Sequence, residues 1–184
     1  MARCVALEAL VRANPREAAL ETAAWLAAQP ETSAHFQDLL ENIAAAWIGT
    51  EKQPAEVAAW AAGLPEGPAR DEAVTVAGSI WLRADVTATA GWLSSLPPGR
   101  GRDDIVHQLV QLISDDTPAD AFEWARTIKT RTWRDEALKD AVQAWSRQDP
   151  AAADQAMETL PARDRARLRD MAEAVKEEEA AEQK

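Results

Sequence analysis

The chain has 184 residues, 47% of them hydrophobic, a formal net charge of −11 and a pI of about 4.7. That charge disfavours nucleic acid and anionic membrane as general partners, because phosphate binding runs on clustered Lys and Arg. No apolar run approaches the roughly 18 residues of a membrane span and no leading segment reads as a signal peptide, while Cys4 alone permits no internal disulfide, so the expected location is the reducing cytoplasm.

In chain order, the first elements make sense against a period of 32 residues set by Pro54, Val86, Pro118 and Pro150. Ala2 to Ala13 reads as the second helix of a truncated leading unit, since Leu10, Arg12, Asn14 and Pro15 answer to Trp145, Arg147, Asp149 and Pro150. An array that begins mid-unit is either an excised segment of a longer one or carries an N-terminal capping helix. The helix from Pro15 to Ala28 has one extra turn before Trp25 and Pro30 rejoin the pattern. Its partner runs over about 34–48, with Phe36, Leu39, Leu40, Ile43 and Trp47 inward and Gly49 ending it.

From Pro54 the period is plain. Trp60, Trp92 and Trp124 fall six residues into successive units, Leu64, Leu96, Ile128 and Leu160 ten in, and the pairs Arg70-Asp71, Arg102-Asp103 and Arg134-Asp135 share a third register. Recurrence at 20 to 50 residues marks a stacked repeat array. Asp85, Thr117 and Asp149 each precede a unit start, where a short polar side chain followed by proline opens a helix. The first helix of a unit buries positions 3, 6, 7 and 10: Val57, Trp60, Ala61 and Leu64, then Thr89, Trp92, Leu93 and Leu96. Pro65-Glu66-Gly67-Pro68 and Pro97-Pro98-Gly99-Arg100-Gly101 end it. The second helix opens with carboxylates that oppose the helix dipole, Asp71-Glu72, Asp103-Asp104 and Asp135-Glu136. Its predicted inward faces are Ala73, Val74, Ala77, Ile80 and Trp81, and one unit later Ile105, Val106, Leu109, Leu112 and Ile113. No segment alternates with period two.

The unit from Pro118 departs from the others at its turn, Ile128-Lys129-Thr130-Arg131-Thr132-Trp133-Arg134. Thr132 with Asp135 resembles a capping box. Trp133 stands where Ala69 and Gly101 stand, so the repeat itself does not demand an indole. One reading has Trp133 cover the end of the helix pair. The other makes it an interaction anchor among Arg126, Lys129, Arg131 and Arg134, a composition that suits an acidic peptide first and a phosphate backbone second. The last unit has Ala156 in the Trp position, and its second helix, about 162–175, carries Arg163, Arg165, Arg167 and Arg169 spread around the barrel, as a solvated capping helix would. The acidic residues 177–184 are expected to fray.

Catalytic signatures are lacking. His35 and His107 have no second His or Cys at ligand spacing, so no metal site is expected. Cys4 has no neighbouring base, and Gly99-Arg100-Gly101-Arg102 lacks the lysine of a phosphate loop. First-turn placement accounts for the carboxylate pairs, and Arg70, Arg102 and Arg134 are expected to form a ladder along the stack, each near a carboxylate.

The helix-pair length, the opening prolines Pro54, Pro118 and Pro150 and the Trp at the sixth position resemble the tetratricopeptide-like and HEAT-like helical-repeat class. The period is 32 rather than the tetratricopeptide 34, and the Leu-Gly pair and Tyr of that consensus are missing. Trp145 to Ala153, with Trp60, Leu64-Pro65 and Arg70-Asp71, is also similar to degenerate arrays of bacteria such as planctomycetes and verrucomicrobia. The expected architecture is all-α: residues 1–176 as a single right-handed α-solenoid domain of about five helix-turn-helix repeats, with 177–184 as the tail. The resemblance implies a non-enzymatic scaffold or adaptor that binds a protein or peptide, with no cofactor. Two alternatives are an acidic inhibitor or mimic that occupies a nucleic-acid-binding protein, and a HEAT-like DNA glycosylase, which would need a Trp and an Asp in a basic groove.

Overall fold

The computed structural model describes residues 9–11, 13–28, 42–47 and 54–171, with the backbone alone at 23–28. Every regular element among the described residues is helical and none is a strand, so the chain is all-α. The helices are α1 (Pro15–Ala28), α2 (Pro54–Gly63), α3 (Pro68–Ala84), α4 (Val86–Ser95), α5 (Arg100–Ile113), α6 (Pro118–Thr127), α7 (Arg131–Gln148) and α8 (Pro150–Glu158). Residues 42–47 and 162–171 are also helical. Contacts divide the chain into two compact units, Met1–Ile105 and Val106–Lys184, and the cut falls inside α5.

Local chemistry explains where the helices start and stop. The side chains of Asp85 and Asp149 accept from the amides of Ala88 at 2.9 Å and Ala152 at 3.0 Å, satisfying donors that the first turn leaves over. Asn14 does the same for Glu17 at 3.2 Å, just before Pro15. Thr117 differs: it makes no side-chain cap, and its hydroxyl turns back to the Ile113 carbonyl at 3.5 Å. α2, α4, α6 and α8 are each followed by the same tightened turn, in which the amides of Leu64, Leu96, Ile128 and Leu160 donate to the carbonyl three residues before, at 3.0 to 3.3 Å. Asp85, Thr117 and Asp149 close the longer helices with bonds of 2.8 Å to Trp81, Ile113 and Trp145.

Three expectations are corrected by this geometry. Thr132 is no cap, because α7 begins one residue earlier, at Arg131, with Thr130 as its N-cap. Without the prolines and glycines of the other turns, nothing holds the chain out of the helix at that point. Consequently Asp135 sits one residue deeper than Asp71 and Asp103, and no carboxylate lies in the first turn of α7. Leu112 does not point inward but is 53% exposed. Val110, four residues after Val106 and fully buried, takes the inward stripe of α5, and Leu112 falls on its flank.

In the unit Met1–Ile105 the core is built of small residues with a few large fillers. Ala58, Ala61, Ala73 and Ala77 are wholly buried, and Trp47, 4% exposed, packs its ring 6.2 Å from that of half-buried Trp60. The Trp60 indole N–H donates to the Ala19 carbonyl at 3.0 Å, so the one polar atom of the filler is satisfied. Trp81 and Trp92 repeat the arrangement with centroids 5.8 Å apart. Gly78 permits a close approach there: a methyl group on it would sit 2.7 Å from Ile105 Cγ1 and 3.0 Å from the Trp92 ring.

The unit Val106–Lys184 packs α6 and α8 against α7. Phe122, 1% exposed, meets Trp145 edge-on at 5.9 Å, and Ala125, Ile128, Leu138 and Ala141 are buried in the same unit. Arg167 reaches from the helical stretch 162–171 to Asp135 at 3.0 Å and also to Asp164, and Arg165 is bonded to Glu158. These arginines are therefore engaged in bridges, which a purely solvated face would not require.

Candidate partner-binding sites

The residues singled out around the α6–α7 connection are only partly brought together. Trp133, in the first turn of α7, is half-buried and lies nearly parallel to the His107 ring, with centroids 6.5 Å apart and planes 12° from each other. A Glu136 carboxylate oxygen lies 3.6 Å from Nε2 of that histidine. Trp133 thus lies against His107 of α5 and is half-buried there. Arg134 points to Asp164, 4.0 Å away, and Arg126 is held by both Glu123 oxygens, at 2.9 and 3.2 Å, with its guanidinium 5.9 Å from the Phe122 ring centre. Lys129 and Arg131 are exposed. The basic cluster is diluted by its own carboxylates.

Arg70, Arg102 and Arg134 each lie within 4.0 Å of a carboxylate, Glu66, Asp103 and Asp164, but with different degrees of burial. Arg70 has Glu66 at 3.8 Å, but that carboxylate is 92% exposed. Arg102 is 9% exposed, and its Nε–H donates to the Leu93 carbonyl at 3.1 Å, whereas Asp103 stays 4.0 Å from its terminal nitrogen. Burial lowers the Arg102 pKa from its ordinary value, the nearby Asp103 charge opposing that shift. The carboxylate of Asp71 meanwhile accepts from the Gly101 amide at 3.0 Å, binding the start of α3 to the start of α5.

Two concavities in the unit Met1–Ile105 escaped sequence reasoning. One is a trough of about 320 Å³ along α3, with Val76 and Ile80 as apolar floor, Thr75 and Ser79 as polar contacts, Glu72 and Arg83 toward its ends, and Ala45 from residues 42–47 on the far wall. The spacing of Glu72, Val76, Ile80 and Arg83 is that of one helical face, so the stripe was visible. The missing part was the neighbour across it. The other is a cleft of about 240 Å³ between the turn after α2 and the turn after α4, lined by Glu66, Arg70, Asp71, Pro97, Arg100 and Arg102 among others. Its sequence signal was the recurrence of Arg-Asp together with Gly99-Arg100-Gly101-Arg102.

Among the described residues no three or more His, Cys, Asp and Glu side chains are grouped to hold a metal ion, and no helix is long and apolar enough to cross a membrane. Cys4 and His35 lie outside the described residues. Comparison with known protein families, with characterised proteins and with solved structures finds no match to this chain.

Proposed function

We propose that this chain is a non-enzymatic scaffold or adaptor, a right-handed α-solenoid of about five helix-turn-helix repeats that binds a protein or peptide partner along the trough on α3. The repeat reading draws support from bonds that recur in register: the same tightened turn after α2, α4, α6 and α8, and the same closing bond at Asp85, Thr117 and Asp149.

The observation that carries the binding reading is the composition of the trough. Val76 and Ile80 are half-buried on the same face as Glu72 and Arg83, which gives apolar contact in the middle and charges to set orientation at the ends. A photoreactive residue placed at Ser79 should crosslink a partner drawn from the source cell, and the same residue at exposed Glu123 should not. Equal labelling from both positions, or none from Ser79, would remove the trough from the account.

A further inference from the structure

We propose that the helical stretch 162–171 is a strap latched to α7 by charge, which opens and recloses while α6 and α7 stay folded. The unit Val106–Lys184 holds its elements in two different ways. α6 buries Ala121, Phe122 and Ala125, and α7 buries Ala137, Leu138, Ala141 and Ala144. The stretch 162–171 buries one apolar side chain, Leu168, and one charged one, Asp164. Burying a single leucine offsets the backbone ordering of only about two residues, so apolar area does not by itself hold a helix of this length in place.

Its charged side chains supply the attachment. Asp164, 6% exposed, has three guanidinium groups within reach: Arg167, to which it is hydrogen-bonded, Arg163 at 3.6 Å and Arg134 of α7 at 4.0 Å. Arg167 also crosses to α7, donating to Asp135 at 3.3 Å with its Nε 3.0 Å from the same carboxylate. Both links to α7 therefore use a member of the pair Asp164 and Arg167. Toward α8 the strap is tied by Arg165 and Arg169, which both reach Glu158, the last residue of that helix. Arg165 donates to the Glu158 carbonyl as well, at 3.1 Å.

The same cluster explains why the strap can open. The Nε–H groups of Arg134 and Arg167 are buried and make no hydrogen bond, the latter despite its closeness to Asp135. A buried donor without a partner has lost its water and gained nothing in exchange, and opening gives the water back. Desolvation likewise offsets much of the attraction within a buried ion pair, although taking away one member leaves the other charge stranded. A helix fastened this way belongs to the low-stability end of a fold, where segments open without global unfolding. Opening releases Arg134 and Asp135 next to half-buried Trp133, at the start of α7.

Native-state amide hydrogen exchange of the full chain at neutral pH tests this. We expect the amides of 166–171 to exchange about tenfold or more faster than those of 137–144 in α7, through an opening that low urea does not promote. Asp164→Asn should speed 166–171 by a further tenfold or so, and leave 137–144 within about threefold. Asp135→Asn should act in the same direction; it lies on α7 and leaves the strap's own sequence intact, so its effect reports the link rather than helix propensity. Asp170→Asn, the same change at an exposed position of the strap, should have little effect. Equal exchange in the two segments would overturn independent opening, and so would unfolding of the whole unit by both Asp164→Asn and Asp135→Asn. Should Asp164→Asn alone fail to fold, Asp135→Asn carries the comparison. No acceleration by Asp135→Asn beyond that of Asp170→Asn would overturn the latch.

Discussion

At Gly101 a single added methyl group would come within 2.3 Å of the Asp71 carbonyl oxygen, and backbone cannot swing aside as a flexible side chain would. The same glycine gives its amide to the Asp71 carboxylate. Gly101→Ala should therefore cost about 1–3 kcal/mol, the range for forcing extra volume into a packed site, measured by urea unfolding; a loss below about 0.5 kcal/mol would show that the turn yields freely. The caps make a sharper comparison. Asp85→Ala should lose about 1 kcal/mol, because its carboxylate holds the Ala88 amide, whereas Thr117→Ala should lose clearly less, because Thr117 caps nothing. Equal losses in the same assay would contradict the cap geometry. Asp85 and Asp149 could be read from their place before Val86 and Pro150. Thr117 could not, since a hydroxyl can bond forward to the new helix or backward to the old one, and sequence does not say which.

Among the elements, the paired rings carry much of the packing. Trp60 meets Trp47 and ties its indole N–H to Ala19, so truncating it removes an aromatic contact, a hydrogen bond and buried area together. Trp60→Ala should destabilise by about 3 kcal/mol, the lower end for a buried aromatic because the ring is half-buried. Less than about 1 kcal/mol by chemical unfolding would mean that the indole stripe does not organise the unit. Helix periodicity revealed the inward stripe of α5, but it chose Leu112 where Val110 is buried. The two lie about 160° apart, on opposite flanks of the stripe of Ile105, Val106, Leu109 and Ile113, and hydrophobicity alone does not say which flank a neighbour covers. The start of α7 was misjudged for a related reason. Thr132 and Asp135 have the right spacing for a cap, yet with no proline or glycine before them the helix simply starts at Arg131.

For the molecule as a whole, the charge pattern and the two concavities tell against a single basic groove among the described residues. Arg126, Arg134, Arg165 and Arg167 are each spent on a carboxylate of the chain. The cleft and the trough lay beyond sequence reasoning because each joins residues from separate elements: Asp71 meets Gly101 across 30 residues, and Ala45 faces α3 from another helix. A period can say that such neighbours recur, but not which side chains line the gap.

The proposal beneath the rest is that consecutive helix pairs stack side by side, each buried against its sequence neighbours. Small-angle X-ray scattering of the monomer tests it directly. A compact fold of 184 residues would have a radius of gyration of about 16 Å; a stack predicts a value clearly above that and a distance distribution with a long tail, while a symmetric distribution at about 16 Å would contradict it.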